Sequence, residues 1–196
     1  MRNGTQHKLR AMDLVGTALR NPINRAILQR LPLLGAPQAW LVAGCVYQAA
    51  WNERAGRSPQ SDIKDYDIFY FDDADLSWEA EDEVIRRGRV LFADLDGLIE
   101  IRNQARVHLW YPKRFGAPYP TLSSAEDGIG RFLARCTCVG LAPQGDGSLR
   151  LHAPYGLDEL EQGILRPNAN APSLHRYRAK AESYRARWPF LKIEDD

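Results

Sequence analysis

The chain has 196 residues, 44% of them hydrophobic and 26% charged, with a formal net charge of +1. That is enough apolar material for one domain with a real core, which excludes a disordered chain. The balanced charge excludes a molecule that binds nucleic acid or membrane by net charge alone, so any such binding must come from a local patch. The three cysteines, Cys45, Cys136 and Cys138, make neither a disulfide framework nor a zinc spacing, and read as buried thiols of a reducing compartment. The N-terminal MRNGTQHKLRAMD has no apolar signal core and no stretch is long enough to span a bilayer, so the expectation is a cytoplasmic protein with no membrane partner.

In chain order, residues 7–31 predict two helices broken at Asn21-Pro22, and 32–37 a turn. A short apolar strand follows at 39–43, then Gly44 and a helix over 45–55. After a polar loop comes a strand at 65–71. The helix predicted at 77–92 has its acids early (Glu79, Glu81, Asp82, Glu83) and its arginines late (Arg86, Arg87, Arg89), as the helix dipole favours. A strand at 98–102 carries Glu100, and 104–115 reads as helix. Ser124 caps a helix predicted to reach Leu133. Strands at 137–141 and 148–152 flank the turn 144–147. A short helix at 156–165 and a terminal helix at 173–188 complete the pattern. Residues 1–34 form an N-terminal helical segment and 35–196 the main domain, together one compact unit. Strand–helix–strand–helix–strand between other helices predicts an α+β or mixed α/β domain rather than a doubly wound repeat.

KDYDIFYFDD at 64–73 places Asp65 and Asp67 on one face of a strand, about 7 Å apart. Like charges half-buried there repel, and a hard divalent cation is the usual counter-ion for such a pair. The bland alternative is a frayed strand with both carboxylates in water. Upstream, the strand before Gly44 runs into a helix N-terminus at Cys45, where free N–H groups suit an anion. Downstream, Glu100 sits inside apolar Leu98-Ile99-Glu100-Ile101. Together the three features read as a metal-dependent phosphate site, in which the glycine turn approaches phosphates and the acids hold metal.

In Gly44-Cys45, then Asp65-x-Asp67, then a later acid, the chain resembles the polymerase-beta-like nucleotidyltransferase superfamily. The resemblance narrows with LVAGCVYQAAWN at 41–52, EIRNQARVHLWYPKRFG at 100–116, APYGLDEL at 153–160 and LRPN at 165–168. These look like a bacterial family of predicted nucleotidyltransferases, over roughly residues 35 to 191. The resemblance implies a polymerase-beta-like fold and transfer of a nucleoside monophosphate from an NTP to a hydroxyl acceptor (a small molecule, a protein or an RNA) with release of pyrophosphate. It implies Mg²⁺ or Mn²⁺ on Asp65, Asp67 and Glu100, and Gly44 and Cys45 at the phosphate turn. The superfamily usually has serine where this chain has Cys45.

Beside these, Arg102 shares the strand parity of Glu100 and is placed to pair with a site carboxylate or a phosphate. Lys64 and Asn103 are further candidate nucleotide contacts, with Gln104 beside Asn103 at the strand exit. Trp51 with Asn52, Trp110 with Tyr111, and His108 read first as core or half-buried residues, with base stacking as the alternative for the aromatics. The C-terminal helix interleaves Arg176, Arg178, Lys180, Arg185 and Arg187 with Tyr177, Tyr184 and Trp188. It reads first as an exposed helix docked by its aromatics, and second as an RNA-binding face. Two functions outside the main reading follow: a non-catalytic nucleotide-binding or protein-interaction module on the same fold, and an RNA-modifying transferase.

Overall fold

The computed structural model describes residues 11–195. The part of the first predicted helix at residues 7–10 lies outside them, as does most of the segment read for a signal sequence. Helices α1 (Ala11–Arg20) and α2 (Pro22–Arg30) break at the predicted dipeptide. Asn21 Oδ1 accepts the N–H groups of Ile23 and Asn24, and Pro22 stands where its missing N–H loses nothing. The cap also reaches the sheet: buried Asn21 donates through Nδ2 to the Tyr66 hydroxyl at 3.2 Å.

Five strands make the main sheet: β1 (Trp40–Val42), β2 (Asp65–Tyr70), β3 (Leu98–Asn103), β4 (Gly140–Pro143) and β5 (Leu149–His152), in the order β3-β2-β1-β4-β5. Helix α3 (Gly44–Arg54) joins antiparallel β1 and β2, while α4 (Trp78–Leu91) is the crossover between parallel β2 and β3. Strict alternation along β2 sends Tyr66, Ile68 and Tyr70 into the core, with Leu41, Ile101 and Leu141 of neighbouring strands. Leu14, Ala18, Ile27 and Leu28 of α1 and α2 join that same core. The other sheet face carries Asp65, Asp67 and Phe69, so the side chains of the DYDIFY strand are sorted by parity alone.

Beyond β3 come a one-turn 3-10 helix (Gln104–Arg106) and α5 (Val107–Phe115), then α6 (Ala125–Ile129), α7 (Asp158–Gln162), β6 (Ile164–Leu165), α8 (Tyr177–Arg187) and β7 (Lys192–Ile193). Ser124 does cap α6, accepting from the Asp127 N–H, but the helix stops at Gly130 instead of reaching Leu133. Buried Asn168 takes over there, donating through Nδ2 to the carbonyls of Gly130 and Phe132 at 2.8 Å each, which holds the chain open. The strand predicted at 137–141 starts only at Gly140. Residues Arg135–Thr137 form a 3-10 turn closed by Thr137 Oγ1 on the Ala134 carbonyl at 2.7 Å. The helix predicted at 156–165 ends at Gly163 in the left-handed region, freeing Ile164 and Leu165 to pair with Lys192 and Ile193. That parallel pair is two residues long on each side, too short to leave a period in the sequence.

All three cysteines are free and buried. Burial raises each thiol pKa, to about 12 for Cys138. The native protein should therefore be inert to a disulfide-exchange reagent at pH 8 and release three equivalents only in denaturant. A thiol that reacts within seconds in the folded protein would contradict this burial.

Candidate active site

The site starts at the turn from β1 into α3. Because β1 and β2 are antiparallel with Val42 opposite Asp67, the chain leaving Val42 passes directly beside Asp65 and enters α3 there. The unusual backbone of the turn lies on Ala43, with φ 62° and ψ −140°, a region that L side chains rarely adopt. Gly44 is the first helical residue, and its lack of a side chain serves space: a Cβ there would lie 2.6 Å from Gln48 Nε2. No side chain caps the helix, so its first N–H groups remain for an anion. Ala43→Gly should relieve the backbone and stabilise the protein by about 1 kcal/mol in urea denaturation. No gain would mean that Ala43 sits there without strain.

Cys45 does not present its thiol to this turn. Sγ lies 3.2 Å from the Val42 carbonyl inside the core, and burial, then the Asp67 charge, raises its pKa well above the usual range. Only the Cys45 backbone N–H is available to a ligand.

The acids converge through strand register. Asp67 stands opposite Glu100 across the parallel β2–β3 pair, and Asp65 lies two residues back on the same face. Burial, followed by the charges of Asp65 and Glu100, pushes the Asp67 carboxyl up to about 7; Arg102 and Lys180 oppose that shift. Arg102 shares the face, with Nη2 3.5 Å from Glu100 Oε2, while its Nη1 donates to the Ile101 carbonyl at 3.0 Å.

Two further cations come from α8. The helix docks through Tyr177, Ala181, Tyr184 and Trp188, all buried. Lys180 lies 5.1 Å over the Tyr184 ring, and Arg187 4.4 Å over the Trp188 ring with Nη1 3.4 Å from Gln48 Oε1. Gln48 is the side chain that covers Gly44, so Arg187 reaches the helix N-terminus. Lys180 is exposed along much of its length, yet crowding by protein atoms and then by Arg187 lowers the pKa of its ammonium, and Asp65 partly restores it. Sequence reasoning took these residues only as part of a docked or RNA-binding helix; the available signal was the spacing of Lys180 and Arg187 beside the buried stripe.

Several candidates stand elsewhere. Asn103 is turned from the carboxylate face and buried: Oδ1 accepts the N–H groups of Asp72 and Ala105, and Nδ2 donates to the Asp72 carbonyl. It pins the ends of β2 and β3 together, and its amide is taken up by Asp72 and Ala105. Gln104 is buried against Gly128. Trp51 and Asn52 belong to the core, with Trp51 packed on Tyr47, Tyr184 and Trp188, and Asn52 accepting from Trp188 Nε1 at 2.9 Å. Lys64, by contrast, stays at the edge of the site: it is exposed next to Asp65, and its charge reaches Lys180.

Among the described residues no three His, Cys, Asp or Glu side chains form a ready cage for a metal ion. Mg²⁺ does not require one, since it binds through one or two carboxylates, waters and substrate phosphates. A pair of register-matched acids, one of them with its pKa raised by burial and then by its neighbours' charge, fits such an ion.

The fold is polymerase-beta-like: a mixed five-stranded sheet with flanking helices, similar to a solved structure described as revealing a CCA-adding enzyme head domain, at 24% identity and a TM-score of 0.79 over 98% of this chain and 100% of that one. A family model described as "Nucleotidyltransferase" matches residues 29–193, and the chain belongs to that family. No curated protein matches it. Among the described residues no helix is long and apolar enough to cross a membrane.

Proposed function

We propose that this protein transfers a nucleoside monophosphate from an NTP to a hydroxyl acceptor, using the face that carries Asp65, Asp67 and Glu100. The observation that supports this most is the crowding of Asp67 by burial and by two neighbouring acids, a cost with no structural return in a protein that binds no cation there. Mg²⁺ or Mn²⁺ held by Asp65 and Asp67 would supply charge neutralisation for the triphosphate and the attacking oxygen. The uncapped N–H groups of Gly44 and Cys45 bind phosphate oxygens, and Arg187 and Lys180 hold the triphosphate from the opposite side.

The acceptor oxygen forms a bond to the α-phosphorus as the bond from that phosphorus to the bridging oxygen breaks. Pyrophosphate leaves with the electron pair, and the hydroxyl proton passes to a site carboxylate, assigned to Glu100 beside Arg102. The chain's own contribution is positioning and a fixed field, which dominate phosphoryl-type transfers. Calorimetric titration of each NTP, with and without Mg²⁺ or Mn²⁺, tests the reading. Metal-dependent binding of at least one NTP is expected; failure of all of them would leave a non-catalytic module on a nucleotidyltransferase fold.

A further inference from the structure

Helix α8 and Arg176, the residue that leads into it, carry two kinds of cation. Arg178 and Arg185 are held in ion pairs with Glu182 and Asp195. Arg176, Lys180 and Arg187, spaced four and seven residues apart, are instead held over aromatic rings and follow one another along one side of the helix. From Arg187 to Arg176 this row runs about 17 Å, at 1.5 Å per residue. It therefore begins beside the α3 N-terminus, comes within electrostatic reach of Asp65 and Asp67 at Lys180, and continues four residues beyond, further than one triphosphate needs.

At its far end the row meets a second patch. Arg176 lies 4.9 Å over the Phe115 ring, and Arg114 lies 5.4 Å over the same ring from the α5 side and 6.0 Å over Trp110. Tyr111 and Phe115 pack with centroids 4.5 Å apart, and Tyr111 meets Tyr119 at 4.6 Å. These rings are half-buried, while Arg114 and Arg176 are exposed. The Tyr111 hydroxyl bonds to Ser173 Oγ at 2.7 Å, which fixes α5 against the segment leading into α8. Exposed guanidinium groups alternating with half-buried rings, in a molecule whose net charge is only +1, are a local feature and suit a ligand that carries both phosphates and flat bases.

We propose that the acceptor is the end of a single-stranded nucleic acid, its phosphates along Arg114 and Arg176 and its terminal bases against Phe115 and Trp110, so that its 3′ hydroxyl lies at the carboxylates. This rests on the transferase reading above. A small neutral acceptor would leave the far half of the row without a task.

The test is fluorescence anisotropy with a labelled single-stranded RNA of mixed sequence, in parallel with calorimetry of Mg²⁺–NTP. The wild type should bind the oligonucleotide with an affinity that falls steeply between low and moderate salt. Arg114→Gln/Arg176→Gln, both at exposed positions, should weaken oligonucleotide binding by about tenfold or more and flatten the salt dependence. The same variant should bind Mg²⁺–NTP as the wild type does and keep its melting temperature. Absence of oligonucleotide binding, equal binding by the variant, or equal binding of a duplex of the same length would overturn the proposal. So would displacement of the oligonucleotide by an acidic peptide at matched charge, which would point to a protein acceptor. NTP binding without oligonucleotide binding sinks this inference alone; oligonucleotide binding without any NTP binding sinks the transferase reading and the acceptor role with it, and leaves only a nucleic-acid-binding face.

Discussion

Asp67→Asn is expected to remove metal-dependent NTP binding, to lower any NTP-dependent transfer on the order of 10³-fold, and at the same time to stabilise the metal-free protein. The first two effects follow from loss of a ligand charge at the centre of the acid group. The third follows from the carboxyl's position. Its pKa is near 3.8 in the unfolded chain and about 7 in the folded one, raised by burial and by Asp65 and Glu100. A carboxyl raised on folding favours the native state while it is protonated. That contribution is complete below about pH 4 and is lost as pH rises to about 7. Above pH 7 the folded protein holds an anion it would rather not hold, and asparagine of the same shape removes the cost. The expected gain at pH 8 is about 2 kcal/mol, a rise of roughly 4–8 °C in melting temperature. Metal should invert the ranking: a divalent cation stabilises the wild type in proportion to RT ln(1 + [L]/Kd) and leaves the variant unchanged. Metal affinity of the wild type should rise with pH up to about 7, because the ligand form is the ionised one. Thermal melts of both proteins at pH 5 and pH 8, with and without Mn²⁺, check every part. A variant less stable than the wild type at pH 8 without metal would mean that Asp67 is an ordinary structural anion.

The largest loss of stability is expected at Glu81. This glutamate and Arg106 are both buried and form an ion pair at the exit of β3. Glu81 also accepts the Asn103 N–H at 2.8 Å, and Arg106 Nε donates to the Leu76 carbonyl at 2.9 Å. Asn103 in turn holds Asp72 just past the end of β2. Glu81→Ala would leave a guanidinium buried without its counter-charge and a backbone N–H without its acceptor. The cost should be about 3–5 kcal/mol, which lowers the melting temperature by roughly 10 °C or more. Replacing both partners by methionine should recover much of it, since an apolar pair removes the desolvation cost along with the attraction. Because the same network holds the strand that carries Glu100 and Arg102, Glu81→Ala should also weaken NTP binding without touching the nucleotide. A loss below about 1 kcal/mol in urea denaturation would show that the pair contributes little.

Comparison of these two sites shows where sequence reading succeeds. The parity of Asp65 and Asp67 is written in DYDIFY and survives into the structure, because alternation is a property of the strand itself. The same parity rule applied to Glu100 and Asn103, three residues apart on one strand, would have put Asn103 on the opposite face from the acids. Glu81 was one of four acids at a helix start and looked like a dipole partner; its burial against Arg106 follows from packing across 25 residues of chain. Cys45 occupies the predicted helix start, yet the direction of its thiol depends on the twist at Ala43, and a non-glycine in that conformation is not announced by its neighbours. Lys180 and Arg187 are basic residues among basic residues until α8 is laid against α3.

By itself, then, the sequence determined the mixed strand–helix order, the break at Asn21-Pro22, the faces of β2, and the family resemblance that the comparison supports. Each of these is local in origin: periodicity, capping and turn chemistry act within a few residues. The tertiary structure alone decided which acids oppose each other, which cations face them and which polar groups are sealed in the core. Those depend on parallel register between β2 and β3 and on the docking of α8, contacts between residues far apart in the chain. Their free energies come from burial and charge proximity, which only the folded packing sets.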